Sequence, residues 1–197
     1  TSETGLVRDG YSFFPKEFSL HAYKFIWDNA SNVFRAYGIT IFVTVVGTAI
    51  NLAMSALLAY PLSLKDLPGK RIISFYIFFT MLFNGGLVPT YLMYTGIFHI
   101  NNTLLAYIIP GFLMSAMNVM LIRTFFSTSI PEALFESAQI DGASQFQIFI
   151  KIVLPLGKPI LVAMGLLSGL GYWNDWTNGL YYVRDTKMYG IQNLLNK

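Results

Sequence analysis

Residues 72–122 read IISFYIFFTMLFNGGLVPTYLMYTGIFHINNTLLAYIIPGFLMSAMNVMLI, without one Asp, Glu, Lys or Arg. As a single helix this stretch would run about 75 Å at about 1.5 Å per residue. A bilayer core is only ~30 Å thick and is crossed by ~20 helical residues. The stretch must therefore turn back, and 96–103 (GIFHINNT) supplies the Gly, His and Asn residues that turns use. Two more charge-free windows flank it, one between Arg35 and Lys65 and one between Lys158 and Asp175. The pattern predicts four membrane helices, at about 36–64, 72–95, 103–123 and 156–180. Core helices of a soluble protein keep charges on one face, and windows of this length argue against that alternative.

Composition agrees. Of 197 residues, 54% are hydrophobic and 12% charged, against roughly 25% charged in soluble domains. A water-soluble enzyme and a disordered chain are both excluded. The net charge of +3 is too small and scattered for a nucleic-acid footprint. Without cysteine there are no disulfides, thiolate nucleophiles or Cys-based zinc sites.

Short loops rich in Lys and Arg stay in the cytoplasm. The loop 65–71 (KDLPGKR) has three basic residues and 96–103 has none. This places 65–71 and 124–155 inside, and 1–34, 96–103 and 181–197 outside. Residues 1–34 read as a polar, aromatic extracytoplasmic arm rather than a signal peptide, and 35–197 as the membrane domain. Within the spans, Gly165 and Gly169 form G-x-x-x-G, and Ala49, Ala53 and Ala56 form a small stripe, both suited to close helix packing. Asn51, Asn84, Asn118 and Asp175 are costly near lipid; such groups face a bundle interior or a wet cavity. Asp175 could equally sit at the outer interface.

The cytosolic segment 127–155 carries the most local information. Ser129 and Glu132 make an S-x-x-E capping box around Pro131, Gly142 can stop a helix, and Ser144 and Gln147 make a second box. Pro155 ends the second helix or kinks it. Leu134, Phe135 and Ala138 share one face of the first helix; Glu132, Glu136 and Gln139 lie on another. The anionic inner leaflet would repel this acidic segment. It suits a basic groove on a partner protein, or else a solvated connecting loop.

Glu136-Ser137-Ala138-Gln139-Ile140-Asp141-Gly142-Ala143, followed by Ile152-Val153-Leu154-Pro155, resembles the EAA loop of ABC-importer permeases. Ser137 stands where that pattern has its first Ala, a small-for-small change. Residues 83–90 (FNGGLVPT) and Trp173-Asn174-Asp175-Trp176 resemble the sugar-importer branch that carries maltose-type and larger oligosaccharides. The likeness covers about 11–197. It implies an all-α integral membrane protein with the type I ABC importer transmembrane domain, four spans here of a six-helix core. The expectation is that a first and a last helix lie beyond this chain.

The resemblance also implies a bacterial cytoplasmic membrane location and a set of partners: a second permease in a heterodimer, two ATP-binding cassette subunits, an extracytoplasmic solute-binding protein and membrane lipid, with no nucleic acid. The chain is expected to bind no cofactor or metal and to hold no catalytic residue; ATP and Mg²⁺ would sit on the partner ATPase. The helix before Gly142 would dock in a cleft on that ATPase. Glu132 and Glu136 would supply carboxylates, Glu136 meeting a basic group. Leu134, Phe135 and Ala138 would form the inserted face, Asp141 a local cap and Gly142 the tight turn. Asn84, Tyr172, Trp173, Asn174 and Asp175 are the residue types that bind sugars and are expected along a substrate path. Rival readings are a membrane scaffold and a permease for a non-sugar solute. A membrane enzyme lacks its chemistry here: there is no H-E-x-x-H, no G-x-S-x-G and no P-loop.

Overall fold

The structure is a computed structural model that describes residue 27 and residues 30–196. Most of the arm expected over 1–34 lies outside the described residues. All regular structure among the described residues is helical. The longest element is α1 (Ala30–Ser63), apolar on every side as lipid-solvated helices are. Among the described residues it alone is long and apolar enough to cross a membrane, and there are up to three spans if each of two bent helix pairs counts as one, where four are expected from the charge pattern.

The first bent pair replaces the continuous helix expected over 72–95. Helix α2 (Lys70–Leu82) stops at Phe83, and α3 (Leu87–Leu92) leaves at 109° to it, running on as a π-turn (Met93–Ile97). Gly86 makes the break, with φ 86° and ψ 173°, a conformation open to glycine. Asn84 Oδ1 accepts from the Gly86 amide at 2.9 Å, and the Thr90 hydroxyl donates to the Gly86 carbonyl at 2.7 Å. Tyr182 anchors the far end of this piece by stacking on Tyr91 at 5.7 Å and meeting Tyr94 edge-on at 6.0 Å.

The stretch 103–123 is likewise divided. Helix α4 (Leu105–Ile108) gives way to Pro110 and Gly111, and α5 (Ala116–Ser129) begins only after Ser115. Interrupted backbone at membrane depth needs donors from elsewhere. Tyr172 donates to the Ile108 carbonyl at 3.1 Å, Asn178 Nδ2 to Pro110 at 3.0 Å and Asn51 Nδ2 to Phe112 at 2.6 Å.

Two apolar cores follow. One, at the α5 C-terminal end, gathers Ala59, Leu62, Ile122, Phe126, Ile148 and Val153; the other gathers Val43, Ala106, Tyr107, Tyr172 and Tyr182. Between them Asn51, only 2% exposed, joins three helices. Asn118 of α5 donates to Asn51 Oδ1 at 3.2 Å, and Ser168 of α9 (Lys158–Trp173) donates to the same oxygen at 3.1 Å. Gly165 and Gly169 face α1 as expected of a G-x-x-x-G: a Cβ would stand 3.0 Å from Leu52 at the first and 3.5 Å from the Thr48 hydroxyl at the second. The small stripe of α1 is not Ala49–Ala53–Ala56. Ala49 and Ala53 face outward and only Ala56 of the three is buried, alongside Gly47, Asn51, Ser55 and Ala59. Gly47 is required by space: a Cβ there would lie 2.6 Å from the Tyr172 ring.

Beyond α9, α10 (Thr177–Tyr182), a 3-10 turn (Thr186–Met188) and α11 (Ile191–Leu195) close the Tyr107 end, with the Ile191 amide donating to Thr40 Oγ1 at 2.9 Å.

Asn51→Leu leaves the Phe112 carbonyl without its donor and cuts Asn118 and Ser168, which bond each other at 3.0 Å, off from α1. It is expected to destabilise the protein by about 1–3 kcal/mol. Thermal unfolding in detergent should show this loss, with a smaller one for Ser168→Ala, whose hydroxyl serves only the network.

Candidate functional site

The EAA-like residues form a compact unit at the α5 C-terminal end. Helix α5 runs through Ser129, so Ser129 has helical backbone and cannot act as an N-cap. The first expected capping box therefore does not form. Helix α6 (Glu132–Ile140) starts from Pro131, at φ −60° and ψ 135°, and Glu132 instead pairs with Lys65 of the α1–α2 loop. That hydrogen bond, with the Glu132 charge, raises the Lys65 amine above its usual range.

The stop is the one that Gly142 allows. The Ala143 amide bonds the Ala138 carbonyl at 2.9 Å and the Gly142 amide bonds Gln139 at 3.0 Å, the Schellman pattern, with Gly142 at φ +77°. A Cβ at Gly142 would meet nothing within 4 Å, so the glycine answers to its dihedral and not to crowding. Asp141 is the C-cap residue. The second capping box does form: the Gln147 amide donates to Ser144 Oγ at 3.3 Å and the Ser144 amide to Gln147 Oε1 at 2.9 Å, opening α7 (Gln145–Ile148).

After α7 the chain makes a π-turn (Phe149–Val153), then α8 (Leu154–Leu156) with Pro155, and bends by 77° at Gly157 into α9. Gly157 is needed at this elbow, since a Cβ would stand 2.5 Å from the Phe126 ring and 2.9 Å from the Val153 carbonyl.

The apolar residues of α6 divide between two sides. Ala138 is buried in the α5-end core, and Phe135 is half-buried against it, its ring 6.4 Å from that of Tyr60. Ala138 therefore serves this chain's own packing, while Phe135 packs on the core with one side and Leu134 stays exposed. What remains outside is Leu134, Ile140 at 86% exposure and Phe146 at 64%, beside the exposed Glu136 and Asp141. Ile140 and Phe146 were missed because helical periodicity shows that a face is apolar, not which neighbour covers it. A cleft of about 590 Å³ lies alongside, between the α1–α2 loop and α6, and is lined by Lys65, Asp66, Lys70, Glu132, Glu136 and Gln139.

The expected substrate-path residues also separate. Tyr172 is buried against Gly47 and Phe112, its hydroxyl committed to the Ile108 carbonyl. Asp175 is buried and accepts from the Asn178 amide and the Thr177 hydroxyl, both at 3.1 Å, so it fixes the start of α10. The Tyr172 hydroxyl and Asp175 Oδ1 thus serve this chain's own backbone and turn, while the buried Asp175 Oδ2 has no partner. Asn84 and Asn174 are exposed and Trp173 half-buried; the Asn174 amide bonds back to Leu170 at 2.9 Å.

The profile of the family described as binding-protein-dependent transport system inner membrane component matches residues 46–183, from the middle of α1 to the segment after α10. Protein LplC of Bacillus subtilis (strain 168) is 36% identical over 196 residues, covering 100% of this chain and 65% of its own length. The polygalacturonan/rhamnogalacturonan transport system permease protein YtcP of the same organism is 36% identical over 192 residues, covering 98% of this chain and 66% of its own. The chain thus spans about two thirds of the length of these relatives. A chain in the crystal structure of a bacterial ABC transporter involved in the import of the acidic polysaccharide alginate superposes with a TM-score of 0.86 at 31% identity, over 96% of this chain and 67% of that one. The fold is that of the type I ABC importer transmembrane domain, and the chain belongs to the family of binding-protein-dependent transport system inner membrane components.

Proposed function

We propose that this chain is a permease subunit of an ATP-driven importer of a sugar or oligosaccharide, coupled to a separate ATPase through α6 and α7. One observation carries the reading: a short helix held at both ends presents free carboxylates and apolar side chains away from the bundle. Its start is tied to Lys65 and its end is stopped by Gly142. Lys65 already serves Glu132, which leaves Glu136 as the carboxylate for a basic group on a partner. Leu134, Ile140 and Phe146 are the apolar contacts beside it. A helix fixed in this way transmits displacement instead of absorbing it.

The assembly needs a second permease, two ATP-binding cassette subunits that hold ATP and Mg²⁺, and an extracytoplasmic solute-binding protein. The α6 end faces the cytoplasm, in line with the basic loop 65–71. Relatives named for polygalacturonan and rhamnogalacturonan, for arabinooligosaccharides, and for melibiose, raffinose and stachyose support a saccharide as the cargo class. Of the expected substrate-path residues, Asn84, Trp173 and Asn174 remain as candidates, the last two at the outer end of α9.

Truncating one partner of a buried charge contact costs about 2–5 kcal/mol. Glu136→Ala is therefore expected to leave the chain inserted while ATPase co-purification and uptake fall at least tenfold. Gly142→Asp should act likewise, by straining the stop. Normal uptake of radiolabelled oligosaccharide in both variants would refute the coupling role. Asn174→Ala should lower uptake at unchanged assembly; unchanged uptake removes Asn174 from the path.

A further inference from the structure

Segment α6–α7 is continuous in sequence with α5 on one side and, through the Gly157 elbow, with α9 on the other. Its link to α1, the longest helix, is non-covalent: Ala56, Ala59 and Leu62 share its apolar core, and Tyr60 adds to that packing a directional contact. That side chain is 6% exposed and lies in the last turn of α1. Its hydroxyl donates to Gln145 Oε1 at 2.6 Å, in the first turn of α7, across 85 positions of sequence. Its ring lies 5.2 Å from Phe149 in the π-turn and 6.4 Å from Phe135 in α6. One residue thus touches all three pieces of the segment.

The end of α1 is itself held in place. Ser63 Oγ donates to the Tyr60 carbonyl at 2.6 Å, Arg123 Nε of α5 to the Leu62 carbonyl at 3.0 Å and Lys70 Nζ of α2 to the Leu64 carbonyl at 2.6 Å. The polar tie between the α1–α2 loop and the segment is Lys65–Glu132, whose side chains are 73% and 51% exposed. Exposed pairs of that kind contribute little. A buried phenol, by contrast, needs its partner, and here the partner is the first residue of α7.

We infer that Tyr60 is a positioning residue: its ring and its bond to Gln145 latch α6–α7 to α1, so that motion imposed on the segment carries α1 with it. This rests on the coupling role proposed above.

The test uses the full chain assembled with its partner permease and ATPase in lipid nanodiscs. This chain has no cysteine, so spin labels are placed through Phe42→Cys on α1 and Ala133→Cys on α6, both exposed positions. Their separation is measured by pulsed EPR without nucleotide and after trapping with ADP and vanadate. With Tyr60 intact, one distance distribution is expected in both states. Tyr60→Phe, which keeps the ring, and Gln145→Ala, which removes the bond from its exposed end, should each add a second population in the trapped state. The latched-to-unlatched ratio should fall about fivefold, the worth of one ordinary hydrogen bond. A distance that already changes with nucleotide when Tyr60 is intact overturns the latch. So do two variants that behave like the parent, or a response to Tyr60→Phe that Gln145→Ala does not share. A chain that assembles with no nucleotide-trapping subunit refutes the transport reading and the latch together, whereas a trapped assembly showing any of the first three results refutes the latch alone.

Discussion

A carbonyl oxygen in hydrocarbon has no water to turn to, and this constraint governs the middle of the molecule. The chain breaks its helix between Ile108 and Ala116, where Pro110 cannot donate and Gly111 takes φ 78°. Three side chains from three other elements answer the exposed carbonyls: Tyr172 from α9, Asn178 from α10 and Asn51 from α1. Each is fully committed, which is why polar residues deep in an apolar bundle can be structural here. Asn51 does most, because its amide nitrogen serves the broken backbone while its oxygen collects Asn118 and Ser168. A single buried amide thereby fixes the mutual position of α1, α5 and α9.

Local chemistry was legible where the residue and its immediate neighbours decide the outcome. Gly142 and the Ser144–Gln147 box belong to that class, since a dihedral angle and a three-residue reach settle both. The Ser129–Glu132 pattern looks the same on paper and fails for non-local reasons. Helix α5 continues through Ser129, and Glu132 finds Lys65, 67 positions away. Charge-free windows located the lipid-facing mass of the protein but not its interruptions. Gly85-Gly86 and Pro110-Gly111 were visible as letters, yet counted as apolar length. Whether such a pair breaks a helix depends on donors brought from elsewhere in the fold, and a linear pattern does not carry them.

The same logic separates the candidate site residues. Tyr172 and Asp175 have the chemistry of sugar contacts, but the Tyr172 hydroxyl serves the Ile108 carbonyl and Asp175 Oδ1 the first turn of α10. Asn84 also engages backbone, through Gly86, while its surroundings stay exposed. Residue type alone could not distinguish these cases, because an aromatic or a carboxylate suits a ligand and a broken helix equally well.

The two ends of the bundle are built by different means. At the Tyr107 end, amide and phenol side chains stitch short pieces to one another: Asn102 accepts from the Arg184 and Asp185 amides at 2.6 and 3.1 Å, and Asn193 donates to the Trp176 carbonyl at 2.6 Å. At the α6 end, apolar packing predominates, with Phe126 filling the space that Gly157 leaves and Tyr60 resting on Phe149. Interdigitated apolar cores are stiff and resist small displacements. A segment that is to pass on force from a partner must yield less than the contact through which it is pushed. Placing Phe135 and Phe149 inward, against Tyr60 of α1, and leaving Ile140, Phe146 and Glu136 outward satisfies that requirement with one short helix pair. An apolar face inserted wholly into a partner would have left the pair attached to its own bundle by little more than its two chain ends.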